Sequence, residues 1–214
     1  MSLPGYLTTV KLGGTPVALS AEPMTNTSGN IFQITDTTRR VLDRNVVPTF
    51  EDEGESPQDI PAADVLSISY IFGTVTFATS KTGPVVVKTG NYVPLTDIAG
   101  AHSYNLNHGG DVLDSTEFGL ANNNGMRQRV LGLRDVSLSV DRWDQVGSQT
   151  FFDALNNRTP LFIEVKPGDG GQVARGWFVA EAENHGGDIS ALEAGDLTFQ
   201  LDGDARASYD WGPP

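Results

Sequence analysis

The chain has 214 residues, no cysteine, 24 glycines and 12 prolines, and its 27 Asp+Glu against 14 Lys+Arg give a formal net charge of −13. A binder of nucleic acid through phosphates, or of an anionic membrane, needs a basic face, so the charge argues against both. The absence of cysteine excludes a disulfide framework, a thiolate metal site and a cysteine nucleophile.

Met1 to Val10 shows neither the basic n-region nor the apolar h-region of a secretory signal. No apolar run approaches the roughly 20 residues of a membrane helix. The length suits one domain, 1–214. Leu7–Leu12 and Val17–Leu19 flank Gly13-Gly14 and read as a hairpin, because glycine accepts tight-turn torsions. Ser20–Asn30 is small and polar and reads as loop. Ile31–Leu42 is β-prone, and Val46–Phe50 is a short strand that Pro48 marks as an edge. Glu51–Glu55 holds four acids in five positions and reads as an exposed turn. Val65–Tyr70 alternates, with Leu66, Ile68 and Tyr70 on one face, and returns as Thr74–Phe77 in a second hairpin.

Pro84–Lys88 is a valine run, and Tyr92–Leu95, Ser103–Asn107 and Val112–Phe118 are extended. Val130–Val140 is the strongest strand. Val136, Leu138 and Val140 face a core, while Asp135, Ser137, Ser139 and Asp141 face water. One helix follows, with Asp144 as N-cap and Phe151, Phe152 and Leu155 as its apolar stripe. Leu161–Val165, Trp177–Ala182 and Leu197–Leu201 are further strands, and Ala207–Pro214 reads as a Pro-tipped tail. The sum is a mainly-β sandwich or barrel with one flanking α-helix and long loops or hairpins.

The chain carries no phosphate loop, no dinucleotide fingerprint and no nucleophile elbow. His102, His108 and His185 are not in a helical zinc motif, and Asp202-Gly203-Asp204 is too short for a calcium loop. No catalytic residue, cofactor or metal is therefore assigned, and the chain is expected not to be an enzyme. Asn107-His-Gly-Gly-Asp111 recurs as Asn184-His-Gly-Gly-Asp188. The copies read as two tight turns, with a metal site or a histidine ring in an oligomer as the functional alternative. Trp143 with Phe151 and Phe152 reads as core, and Trp177-Phe178 as core or subunit contact. Trp211 is a large ring in a terminal tail and a candidate anchor on a neighbouring subunit.

Three stretches carry a family resemblance. The first is Asp111–Gly119 followed by Met126–Ser139, with Gly132-Leu133-Arg-Asp135 opening a strand. The second is Phe151–Leu155 through Pro160–Val165, and the third runs from Ile31–Asp36 to Tyr70–Phe77. In this order they resemble the major tail protein, or tail tube protein, of long-tailed non-contractile bacteriophages. The resemblance implies a β-sandwich tail-tube fold whose copies form stacked hexameric rings around a tape-measure protein, bounded by tail-tip and tail-terminator proteins. The strands of neighbours join into one barrel around a lumen through which DNA passes without specific binding. The implied location is the virion tail, after assembly in the host cytoplasm, with no membrane involved. Many relatives lack the segment at about 20–90, which is expected as a family-variable hairpin insertion, and 205–214 is expected as a C-terminal tail.

Six subunits at −13 each give a ring −78 formal charges. An acidic wall repels DNA, over a screening length of about 8 Å at physiological salt. Asp135 and Asp141 are the candidate lumen-facing residues, with Glu117 a further one; an outer-wall position for them is the competing reading. Asn122, Asn123, Asn124 and Trp211 are the candidate inter-ring or inter-subunit contacts. Some of Glu51–Asp64, Ser80–Tyr92 and Ala121–Gly125 are expected to be mobile in the free monomer and to order between rings. The competing functions are a carbohydrate-type β-sandwich module using Trp177 or Trp211, and the tube of a related secretion or gene-transfer particle.

Overall fold

The computed structural model describes residues 9–54, 56–81, 83–98, 101–114, 129–143, 150–167, 172–186, 194–203 and 209–212. Its first strands are β1 (Thr9–Gly13), β2 (Val17–Ser28), β3 (Ile31–Ile34), β4 (Thr49–Asp52) and β5 (Gln58–Ile60). They are followed by β6 (Val65–Ser69), β7 (Thr74–Phe77), β8 (Val85–Tyr92), β9 (Leu95–Asp97), β10 (Ala101–Asp114) and β11 (Arg129–Trp143). The helix α1 (Thr150–Asn157) precedes β12 (Leu161–Lys166), β13 (Val173–Gly186), β14 (Ala194–Leu201) and β15 (Tyr209–Gly212). The protein is mainly β with one α-helix among the described residues, and its curled sheets form a half-barrel.

The larger sheet has the order β10-β11-β14-β13-β12-β1-β9, with β15 paired to β13. The smaller sheet, β5-β4-β8-β2-β3-β7-β6, is built entirely from strands between Val17 and Tyr92. Two cores result. Between the sheets, Phe162, Val173 and Trp177 of the larger sheet meet Phe32, Ile34, Phe50, Phe72 and Phe77 of the smaller. On the opposite face, Ile163, Val165, Ala174, Phe178 and Phe199 pack with Phe151 of α1. Strands β12 and β13 are thus buried on both faces, which is why they read as near-continuous apolar runs.

The inter-sheet core contains a buried charge pair. Arg175 donates from both Nε and Nη2 to Glu164 Oε2 at 2.6 Å, with each side chain 4% exposed. Its Nη1 donates to Ile71 O of the smaller sheet at 3.3 Å, and the guanidinium lies 5.2 Å from the Phe72 ring centre. Lys11 Nζ, on the next strand, is 3.7 Å from Glu164 Oε1. A second tie runs through Arg44, which stacks on Trp177 at 4.6 Å and pairs with Asp202 at 2.7 Å.

Several expectations are corrected. Gly13-Gly14 does not close a hairpin: β1 pairs with β12 and β9, whereas β2 pairs with β3 and β8. The chain crosses between sheets there, and glycine is required by closeness. A Cβ on Gly13 would stand 2.7 Å from Val93 Cγ1 and 2.8 Å from Phe162 Cβ. Ser20–Asn30 is mostly strand, because β8 and β3 supply partners on both sides of β2. The strand expected at Val46–Phe50 begins only at Thr49. Glu51 and Asp52 close β4, not an acidic turn, and Lys88 offsets Glu51 at 3.0 Å. Val85–Tyr92 is an internal strand between β4 and β2, with Val85, Val86 and Val87 buried, so it has its shape within the subunit.

The β6–β7 hairpin forms as expected, with Gly73 at φ +59° in its turn. A register shift between Val65 and Ser67, however, turns Leu66 outward to 65% exposure. In α1 the inward stripe is the buried Phe151 and Ala154 with the half-buried Leu155, and Phe152 is 54% exposed, because it lies about 100° around the helix from Phe151. The helix closes as Arg158 takes φ +51°, with Thr159 N–H donating to Ala154 O at 3.0 Å and Arg158 N–H to Leu155 O at 3.3 Å. Tyr209–Gly212, expected within a tail, is a strand on β13. Trp177 and Phe178 are core residues. Asp144 lies outside the described residues.

Two outcomes follow. Replacing Arg175 by Met leaves Glu164 buried with only the distant Lys11, and is expected to lower unfolding stability by about 3 kcal/mol in a denaturant titration. The double change Glu164→Leu with Arg175→Met is expected to recover most of that loss. Separately, Asp64 accepts from Thr79 N–H at 2.9 Å and Thr79 Oγ1 at 2.8 Å and pairs with Lys81. The Lys81 and Thr79 side-chain hydrogen bonds hold its carboxyl below the ordinary 3.8. A depressed folded-state value stabilises above the unfolded value and is lost as pH falls through the folded one. The thermal midpoint is therefore expected to drop as pH falls below 3.8, and Asp64→Asn should remove that part of the acid dependence.

Candidate functional site

The period of two along β11 sorts its side chains onto opposite faces. Val136, Leu138, Val140 and Arg142 are buried toward the α1 core. Asp135 and Asp141 are exposed on the other face, with Ser137 and Ser139 half-buried between them. Register extends this face across four strands. Ser103, Asp141, Asp196 and Asn184 form one row, and Asn105, Ser139, Thr198 and Ala182 the next. Asn107, Ser137, Gln200 and Val179 form a third.

Asp141 and Asp196 are direct cross-strand partners, so two like charges stand side by side. A neutral donor flanks each: Ser103 Oγ donates to Asp141 Oδ2, and Asn184 Nδ2 to Asp196 Oδ2 at 3.1 Å. Gln200 Nε2 donates to Glu181 Oε2 at 3.3 Å, at the bulge in β13. Among the described side chains this exposed face carries these carboxylates and no Lys or Arg. The strands' nearest described cation, Arg142, points the other way. Its Nη2 bonds Glu183 Oε1 at 2.7 Å, and its guanidinium lies 5.1 Å from the Phe151 ring centre. Sorting by strand parity thus puts a neutralised pair in the core and unneutralised acids on the open face. The smaller sheet covers only the β12–β13 part of this face, through Phe162, Val173 and Trp177, and leaves the β10–β11–β14 part open.

The structure brings Asp135 and Asp141 together on this face. Glu117, Asn122, Asn123 and Asn124 lie outside the described residues. Trp211 sits on β15, 39% exposed, its ring centre 6.5 Å from that of His108. Asp196, Glu181 and Ser103 join the face without having been singled out, and Asn184, singled out only for the repeated pentapeptide, joins them. Asp196-Leu-Thr-Phe-Gln200 does alternate polar with apolar, a signal for its acid, but its neighbourhood to Asp141 depends on a pairing across more than fifty residues. The first copy of the repeated pentapeptide is not a turn, because Asn107–Asp111 runs within β10; Asn184–Gly186 ends β13, and Gly187 and Asp188 lie outside the described residues. Strands β11 and β14 separate the two copies. His108 Nε2 is instead 2.6 Å from Tyr209 Oη. Among the described residues no three His, Asp or Glu side chains are grouped to hold a metal ion.

The chain matches no protein-family model and no curated protein. Among solved structures it is similar to a chain in the tail of an empty gene transfer agent particle obtained by helical refinement with C6 symmetry. That likeness has 16% identity and a TM-score of 0.45, over 52% of this chain and 84% of the other. It is also similar to a chain in the virion of a native gene transfer agent particle, at 17% identity and a TM-score of 0.43, over 54% and 88% of the two chains.

The Asp141–Asp196 juxtaposition has a measurable consequence. Asp196→Asn keeps an acceptor for Asn184 and removes one of two facing charges. It is expected to raise stability by roughly 0.2–1 kcal/mol at low salt. The gain should shrink as salt is raised, when denaturant midpoints are compared at two ionic strengths.

Proposed function

We propose that the chain is a structural subunit of a particle tail. Copies assemble into stacked six-membered rings that form a tube, and the polar face of β10, β11, β14 and β13 lines its lumen. The observation that carries this reading is the open sheet face on which Asp135, Asp141, Asp196 and Glu181 stand among Ser, Asn, Thr and Gln, with no described cation. Such a surface gives DNA phosphates nothing to adhere to, and it repels them at short range. The sequence resemblance to tail tube proteins, spread over most of the chain, supports the same reading.

Among the described residues the larger sheet ends in β10 and β9, strands with one unpaired side each. An exposed edge of that length invites pairing with another chain, and joining edges around a ring removes them. In this reading the chain has no catalytic role. It meets copies of itself, a tape-measure protein, and the proteins that cap the tail, while DNA passes without specific contact. The tube of a gene-transfer particle satisfies the same observations. A glycan-binding role loses one of its two candidate rings, since Trp177 is 8% exposed between the sheets.

Electron microscopy of the concentrated protein is expected to show rings or tubes, with Asp135, Asp141 and Asp196 on the inner wall of a reconstructed map. The triple change of these residues to Lys is expected to assemble and to retain added DNA in a salt-sensitive manner. A persistent monomer, or a map with Asp135 on the outer wall, would overturn the reading.

A further inference from the structure

We infer that the C-terminal strand β15 is a latch that sets the direction of a projecting β10–β11 ribbon, with Gly109-Gly110 as the hinge it restrains. This device is independent of the particle in which the chain resides.

The ribbon is defined by register. Strand β14 accompanies β11 only from Ser137 to Trp143, whereas β10 and β11 stay paired out to Asp114 and Arg129. Beyond Ser137 the described strand pairing is therefore two strands wide, a width that is marginal without other support. His108 stands opposite Val136, one residue past the last β14 pairing, at the root of the ribbon. There its Nε2 meets Tyr209 Oη at 2.6 Å, and its ring meets those of Tyr209 and Trp211 edge-on at 5.3 and 6.5 Å.

The latch is anchored at its other side. Strand β15 pairs with β13 from Val173 to Gly176, and the Tyr209 ring lies 6.5 Å from that of Phe178. Gly212 presses on the smaller sheet, since a Cβ there would stand 3.0 Å from Phe72 Cζ. Strand β15 thus connects the ribbon root to both sheets. Burial, followed by the charge of Asp210, pushes the Tyr209 phenol up to about 12, so it stays protonated at neutral pH and available to the imidazole.

The hinge adjoins the latch. Gly109 and Gly110 follow His108 directly, are exposed, and precede a register shift between Gly110 and Val112. Gly109 has no left-handed φ, and the nearest atom to a Cβ built there is Asp135 O at 3.9 Å. Neither packing nor a turn requires glycine at this position. What glycine supplies in a strand interior is torsional freedom and a weakened ladder. The first copy of the repeated pentapeptide thereby has a physical role, with histidine held and glycines free to bend.

Amide hydrogen exchange on the full chain tests the device with two variants of opposite sign. Tyr209→Phe keeps the ring on Phe178 and removes the hydroxyl. It is expected to speed exchange at Gly109–Asp114 and Arg129–Asp135 roughly fivefold, the factor that one hydrogen bond of ordinary net strength represents. Gly109→Ala is expected to slow exchange over the same residues. Strands β12 to β14 should be unchanged in both. Unaltered ribbon exchange in Tyr209→Phe would overturn the inference, as would equal acceleration in β12 to β14, which marks general loosening. Were Tyr209→Phe not to fold, His108→Phe removes the same hydrogen bond from the other side and is held to the same outcomes.

Discussion

The two sheets meet around the buried charge pair between Glu164 and Arg175. Neither group is stable in an apolar interior alone, so each must be met by the other and by further polar atoms. Arg175 also reaches Ile71 O and the face of Phe72, and Lys11 approaches the free oxygen of Glu164. Satisfying the pair therefore requires β1, β12, β13 and the β6–β7 turn to meet at one place. That meeting lies inside the apolar core that joins the smaller sheet to the larger one.

The position of the smaller sheet then decides which part of the larger sheet stays open. Over β12 and β13, Phe162, Val173 and Trp177 are covered. Farther along, over β11 and β14, the same face bears Asp135, Asp141, Asp196, Thr198 and Gln200, and among the described residues no apolar core is built on them. A single sheet face is thus half interior and half open surface. The helix takes the opposite face, where Phe151 meets Phe199 at 5.8 Å and Arg142 is neutralised by Glu183. An acidic surface that carries repulsion has a stability cost, and that cost is visible in the side-by-side carboxylates of Asp141 and Asp196.

Much of this was legible residue by residue. The alternation in Val130–Val140 predicted the faces of Asp135 and Asp141, and both are as expected, because a strand's period of two is a local property. The mainly-β class and the single helix were legible for the same reason. Pairing was not. Leu7–Leu12 and Val17–Leu19 have the pattern of a hairpin, but Gly13 is squeezed between Val93 and Phe162, contacts that no local signal announces. Spacing alone puts Leu66 on the face of Ile68 and Tyr70, and Phe152 in the apolar stripe of Phe151. A bulge in β6 and one residue's rotation around α1 turned them out.

By itself, the sequence determined the fold class, the strand faces and the excess of acid, since these follow from composition and from torsional periods acting over a few residues. Tertiary structure alone decided which acids stand together. Asp196 became the neighbour of Asp141, and Tyr209 of His108, because strands distant in the chain were brought into register. The net charge of −13 argues against gripping DNA whatever the fold. Whether that charge forms a surface depends on the register of β11 with β14 and on the inter-sheet core, which seats the smaller sheet over β12 and β13.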